Sequence, residues 1–398
     1  MIFNGILGNL ALLSLALTVW QWLAARRFPL HQRVTDASFA PAVTLLKPLK
    51  GCDETTADCL RSWFAQDYAG QVQILFAVAK ADDPVCELTR KLMAEFPERD
   101  AQLVVCNDRL GANAKVSKLV KLERLAKHEF FVISDADVRV PADFLANAVA
   151  LLIRPAATLS PSDGERDRVR GGDSLEVGLV NCFYQLAKPT TLAMRWEAVA
   201  INADFWSQVL QAQDLKPLDF ALGAVMATRR KQLEEIGGFK ALVDCLADDY
   251  QLGNRIARRG YRIAICPVVV ECWSAPMGWA AAWRHQLRWA RTIRACQPLP
   301  YFFSILSDAT LWPLLWSAAN PSLTVLAIAA VCLVLRVLAA LDLQGRLTQN
   351  RRHWADWWLV LVKDLLQAVI WLLAFAGNRI EWRGERFHLH ADGTLTRS

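Results

Sequence analysis

Residues 1–25 carry no charged side chain, and at a helical rise of about 1.5 Å per residue such a run crosses a bilayer core of about 30 Å. The pattern predicts a membrane-spanning helix. A cleaved signal peptide is the competing reading, disfavoured because the apolar region is too long and no basic segment precedes it. Arg26, Arg27 and Arg33 follow the run, so the positive-inside rule puts the next segment in the cytoplasm. Three more apolar stretches lie in the C-terminal quarter: 301–319 with Asp308, 322–341 with Arg336, and 357–376 with Lys363 and Asp364 near its middle. A charge inside the membrane costs at least about 2.5 kcal/mol, so Lys363 and Asp364 must pair or face protein. Four spans would export the tail after residue 377, whereas Arg379, Arg383 and Arg386 favour the inside. The last element is therefore either re-entrant or an exception to the rule.

Between the first span and residue 300 the apolar period changes. Short β-rich runs at 43–46, 72–78, 103–105 and 130–133 alternate with helical patterns such as 86–96 and 115–125. That alternation predicts βαβ units and an α/β fold with a mostly parallel sheet. A polar, Gly-rich stretch at 159–174 interrupts it as an expected surface loop, and a helical segment follows around 192–210. That segment carries Trp196, Phe205 and Trp206 and suits either a bilayer interface or a core. The expected organisation is an N-terminal helix over 1–25, a cytosolic catalytic domain over 26–300, about three membrane helices over 301–377, and a tail over 378–398.

Composition agrees, since 54% hydrophobic residues with 16 Trp exceed what a soluble core needs. The net charge of +6 is not gathered into one run and gives no case for nucleic acid. The ten cysteines form no Cys-x-x-Cys pair, which speaks against a zinc site or a disulfide framework.

Chemistry concentrates where strands end. Asp135 and Asp137 follow the apolar run 130–133, and two carboxylates one residue apart at a strand's carboxyl end can hold a divalent cation that in turn holds a diphosphate. Lys47 follows the first strand and Asp82-Asp83 the second. A third pair, Asp248-Asp249, offers a general base away from the metal-bound pair, although such pairs also occur as caps or solvated turns. On a helix, Arg284, Arg288 and Arg291 form one stripe and His285, Trp289 and Thr292 the next, which suits a departing diphosphate or a Trp-anchored membrane surface. Together these features predict a membrane enzyme using a nucleotide-activated donor.

The ordered set Lys-Pro-Leu-Lys-Gly (47–51), Asp-Asp-Pro (82–84), Gly-Ala-Asn-Ala-Lys (111–115), Asp-Ala-Asp-Val-Arg-Val (135–140), Ala-Asp-Asp-Tyr (247–250) and Arg-Trp (288–289) resembles the ceramide glucosyltransferases. These membrane members of the GT-A glycosyltransferases form a group that includes bacterial hopanoid-associated enzymes. The resemblance covers nearly the whole chain. It implies a GT-A (Rossmann-like) domain with transmembrane helices, a Mg²⁺ or Mn²⁺ cofactor, a UDP-sugar donor and a lipid acceptor, in a bacterial inner membrane with the catalytic domain cytoplasmic. By that likeness Asp83 lies near the uridine and Asp135 is the second motif aspartate, with Asp137 completing the metal site. Lys47, Asn113 and Lys115 join the donor site, Asp249 is the catalytic base, and Arg288 and Trp289 belong to the closing motif. His285 stands where the family has Gln or Arg, so it either orients the acceptor, contacts the diphosphate, or only packs. The implied reaction is glucose transfer from UDP-glucose to ceramide. The alternatives are transfer of N-acetylglucosamine or another sugar to a hopanoid polyol, or, from another class, an inactive membrane scaffold or lipid-binding protein.

Overall fold

The structure, a computed structural model, describes residues 2–34, 39–153, 176–350, 352–382, 385–390 and 392–397. The stretch 159–174, expected to be a surface loop, lies outside the described residues. The chain divides into two compact units. One comprises residues 30–184 and 217–275; the other comprises 1–29, 185–216 and 276–398.

The first unit is built on an eight-stranded sheet of order β3-β2-β1-β4-β7-β6-β8-β5. Strands β1 (Val43–Pro48), β2 (Val72–Val78), β3 (Asp100–Val105) and β4 (Phe130–Ser134) run parallel, as the alternating pattern predicts. The intervening helices Thr56–Phe64, Val85–Glu95 and Ala114–Leu125 make the crossovers. Every residue of β1 and β2 is buried, because helices that cover both faces of a parallel sheet leave no polar side. β1 sits between β2 and β4, so the chain leaves the sheet in opposite directions on either side of it, and the crevice at its carboxyl end is where ligands enter open α/β sheets. Beyond β4 the pairing turns antiparallel through β5 (Val138–Arg139), β6 (Val177–Leu186), β7 (Val225–Arg229) and β8 (Arg262–Cys272).

In the second unit, helices Ile2–Arg27, Leu323–Thr348 and Trp354–Phe375 are long and apolar enough to cross a membrane. The span expected at 301–319 does not form. That stretch breaks into the helix Pro298–Phe303, a 3-10 turn Ser304–Ser307 and the helix Leu311–Ala319. The cause is Asp308, whose carboxylate accepts hydrogen bonds from the backbone N–H of Thr310 (3.1 Å) and Leu311 (2.8 Å) and so starts a new helix. Nine residues reach only about 14 Å, half of what a crossing needs.

The charges in the other two apolar runs are paired, as their cost requires. Arg336 contacts Asp364 at 2.8 Å and Asp204 at 2.9 Å, and Lys363 lies 2.6 Å from Asp364 and also meets Asp204. Asp204 belongs to a π-helical segment, Ala200–Phe205, between helices Leu192–Val199 and Trp206–Leu215. Two cations and two carboxylates thus close a neutral buried lattice. Removing any one of them would leave an uncompensated charge in an apolar setting. The second unit ends in a small antiparallel sheet, β9 (Arg379–Trp382), β10 (Glu385–Leu389) and β11 (Leu395–Arg397).

Candidate active site

In the sheet unit the site is organised by one buried lysine. Asn113 caps the helix Ala114–Leu125, its side-chain oxygen accepting from the N–H of Lys115 (3.0 Å) and Val116 (3.1 Å). The same amide donates to the carbonyl of Cys245 (2.8 Å) and to Asp248 (3.3 Å), while the Asn113 N–H reaches the Val243 carbonyl at 2.7 Å. Gly111 lets this turn approach, since a Cβ there would lie 2.7 Å from the Val243 carbonyl. A capping residue therefore joins Gly-Ala-Asn-Ala-Lys to Ala-Asp-Asp-Tyr. Asn113 is fully buried, so its work here is structural.

Lys115 fills the junction this creates. Its ammonium lies 2.8 Å from Asp135 and 3.1 Å from Asp248, which brings the second and third aspartate motifs to one cation. Burial alone would lower the Lys115 pKa, but Asp135 and Asp248 outweigh it and hold the group well above the ordinary lysine value. Asp249, next in sequence, keeps one carboxylate oxygen on the Tyr250 N–H at 2.8 Å. Burial and the Asp248 charge push its carboxyl up to about 6, a range suited to a base working near neutral pH.

The other Asp249 oxygen faces Gly223, where an added Cβ would sit 2.5 Å away. Gly223→Ala is accordingly expected to displace the carboxylate and lower kcat by about 10²-fold with little change in donor KM. Steady-state kinetics check this, and a wild-type kcat would remove Gly223 from the site.

Asp137 occupies the turn between β4 and β5, its carbonyl held by the Trp273 N–H at 2.9 Å. Enclosure by protein and repulsion from Asp135 push its carboxyl up to about 6. The residue itself is open to solvent, so the like-charge repulsion dominates. Asp83 accepts from the Gly51 N–H through both oxygens, at 3.0 and 3.2 Å, which ties the second-strand motif to Lys-Pro-Leu-Lys-Gly. Gly51 makes that turn at φ +72°, a backbone conformation few other residues adopt.

Lys47 reaches no open face of the site. It is fully buried, donates to the Asp135 carbonyl (2.7 Å) and the Ser134 hydroxyl (3.2 Å), and stacks over Trp63 at 4.7 Å. Burial draws its pKa down to about 7. Its geometry is that of a strut beneath Asp135.

His285, Arg288 and Trp289 belong to the helix Trp279–Cys296 of the second unit. His285 Nδ1 lies 2.6 Å from the Glu197 carboxylate, which also accepts from Gln286 at 2.9 Å, and its imidazole ring meets Trp289 edge-on at 4.7 Å. Glu197 fixes the ring and leaves Nε2 as its free position. Sequence reasoning missed Glu197, although a lone carboxylate in the apolar run Leu192–Val199 signals a buried partner. It also named Asp248 only as half of the Asp248-Asp249 pair and left Gly223 off the site. Among the described residues no group of three or more His, Cys, Asp or Glu could hold a metal by itself, so a cation here would depend on Asp135, Asp137 and the donor's own oxygens.

Comparison with known proteins agrees with this architecture. A mannosyltransferase from Pyrobaculum calidifontis, PcManGT, solved with GDP-Man and Mn²⁺, superposes over 92% of this chain and 98% of its own with a TM-score of 0.51 at 22% identity. The fold is that of a GT-A glycosyltransferase, joined to membrane helices. The chain belongs to glycosyl transferase family 21, whose sequence signature matches residues 6–162 and 169–395. Ceramide glucosyltransferase 3 of Caenorhabditis elegans is 23% identical over 386 residues, 94% of this chain and 78% of that protein. The ceramide glucosyltransferase of Candida albicans is 33% identical over 128 residues, 29% of this chain and 24% of its own length. The protein is a sugar-nucleotide-dependent glycosyltransferase of the membrane.

Proposed function

We propose that the enzyme transfers glucose from UDP-glucose to the primary hydroxyl of ceramide with inversion at the anomeric carbon. The observation that carries this reading is the junction at Lys115, where a carboxylate from the strand-end motif and the aspartate next to the base meet one buried cation. The nematode and fungal relatives named as ceramide glucosyltransferases support the acceptor.

Asp249 takes the proton from the acceptor hydroxyl as its oxygen attacks the anomeric carbon and the bond to the diphosphate breaks. The ion pairs of Lys115 go to Asp135 and Asp248, so that cation does not pair with the base. Arg288 stabilises charge on the departing diphosphate, while Trp289 and His285, its ring fixed by Glu197, position the acceptor. Asp83, anchored by Gly51, faces the uridine.

The donor set at the strand end suits a hard divalent cation. Asp135 has one oxygen on Lys115 and the other free, Asp137 is open to solvent, and Mg²⁺ or Mn²⁺ takes one or two carboxylates together with substrate phosphates. Such a cation, when bound, supplies positive charge against the leaving diphosphate. The mannosyltransferase with the same fold was solved with Mn²⁺, which supports this assignment. Asp137→Ala is expected to weaken UDP binding and transfer together by at least about tenfold, and chelator should inactivate the wild type reversibly. Full activity in excess chelator would refute the metal role.

We place the protein in a bacterial inner membrane with the sheet unit in the cytoplasm, an orientation that the positive-inside pattern at Arg26, Arg27 and Arg33 supports. The reading as a whole is tested by incubating purified protein with UDP-glucose or UDP-N-acetylglucosamine and with ceramide, diacylglycerol or a hopanoid polyol, then identifying products by mass spectrometry. Glucosylceramide as the main product supports the proposal, and a glycosylated hopanoid alone would reassign the acceptor.

A further inference from the structure

Within the helical unit, a cavity of about 520 Å³ is lined by Arg284, Arg288 and Arg291 of the helix Trp279–Cys296 and by Arg379, Glu381 and Arg386 of the C-terminal sheet. Five guanidinium groups against one carboxylate leave a local charge of +4. Arg284, Arg379 and Arg386 form no ion pair among the described residues, and Glu381 neutralises none of them. Arg284, Arg379 and Arg386 repel one another as like charges, so the arrangement is held by other contacts. Arg291 donates to the Arg379 carbonyl, Arg294 donates to Asn378, and Arg294 stacks on Phe375 at 5.7 Å. Burial and the charge of Arg294 draw Arg291 below its ordinary value, as cation crowding would.

The surroundings identify the source of an anion. Phe375 ends the apolar helix Trp354–Phe375, and β9 begins four residues later, so the cavity lies at the end of a membrane helix. Large apolar side chains stand exposed on the neighbouring elements, Ile293, Leu299, Phe302, Phe303, Leu372 and Phe375 among them. A cationic cavity beside an exposed apolar belt matches the two halves of a phospholipid, its phosphate and its acyl chains.

We propose that this cavity binds the phosphate of an anionic glycerophospholipid, with the acyl chains lying against the Phe302, Phe303 and Phe375 surface. The proposal rests on Arg284, Arg379 and Arg386 and does not depend on the identity of the sugar acceptor. It would tie the C-terminal sheet and the helix that carries Arg288 and Trp289 to an acidic membrane surface.

The test is thermal unfolding of the full-length protein in neutral detergent with dihexanoyl phosphatidylglycerol, dihexanoyl phosphatidylcholine, inorganic phosphate or UDP. Phosphatidylglycerol should raise Tm by several degrees, with phosphatidylcholine and phosphate giving much less. R379Q/R386Q should weaken the phosphatidylglycerol response by at least about tenfold in concentration while leaving the UDP response intact. R379K/R386K, which keeps the charge, should retain most of it and so separates lost binding from lost folding. Equal shifts with the two lipids, or a full response in R379Q/R386Q, would overturn the proposal. Phosphate matching the lipid would make this a free-anion site, and loss of the UDP response in R379Q/R386Q would make it the donor's diphosphate site; either result also defeats the lipid assignment.

Discussion

Asp249→Asn is expected to slow sugar transfer by about 10²–10⁴-fold while donor affinity stays within about threefold, because the amide keeps the shape of the carboxylate but cannot accept a proton. The sign of the pH dependence follows from the same residue. Burial and Asp248 raise its pKa to about 6, and only the deprotonated form is a base. Transfer should therefore be full above that value and fall as pH drops through it. Binding of UDP measured by calorimetry separates the two possible losses in the variant, and near-normal turnover would remove Asp249 as the base. A transfer rate independent of pH between about 5 and 8 would contradict the same assignment.

Lys115→Met should strongly destabilise the sheet unit. It removes the cation shared by Asp135 and Asp248 and leaves the Asp248 carboxylate, buried at 7% exposure, with only the Asn113 amide at 3.3 Å. Breaking a buried pair in this way costs about 3–5 kcal/mol, and the Asp135 contact adds little because that side chain is about a third open to water. Urea unfolding measures the loss. K115M/D248N, which removes both buried charges, should recover much of the stability but not the activity, since Asp135 would still be released. A Lys115→Met variant as stable as the wild type would mean that the junction does not hold the motifs together.

Much of the sheet unit was legible because its signals are local. The runs at 43–46, 72–78, 103–105 and 130–133 became β1 to β4, with Asp83, Asp135 and Asp137 in the turns after their strands. Hydropathy misjudged 301–319 because it counts Asp308 as one charge in an apolar window, whereas that carboxylate can stop one helix and start another through its own backbone bonds. The same method rightly required partners for Lys363 and Asp364 but could not name them. Arg336 and Asp204 lie 28 and 159 residues away from those they contact. Gly223 was illegible for the same reason, and Glu197 signalled a buried partner without naming it. A glycine that makes room for a carboxylate 26 positions later, or a glutamate that orients a histidine 88 positions later, leaves no periodic trace. Lys47 is the opposite case. A lysine at a strand's end suggests a ligand contact, but here β1 is central and its lysine is covered on every side.

The central claim is inverting transfer from a nucleotide sugar to a lipid hydroxyl with Asp249 as base. It is tested most directly by the anomeric configuration of the glycolipid formed from UDP-glucose and ceramide by the purified enzyme in nanodiscs, read by proton NMR. The account predicts a β-glucoside from the wild type and none from Asp249→Asn; an α-linked product, or β-glucoside formed equally by both proteins, would contradict it.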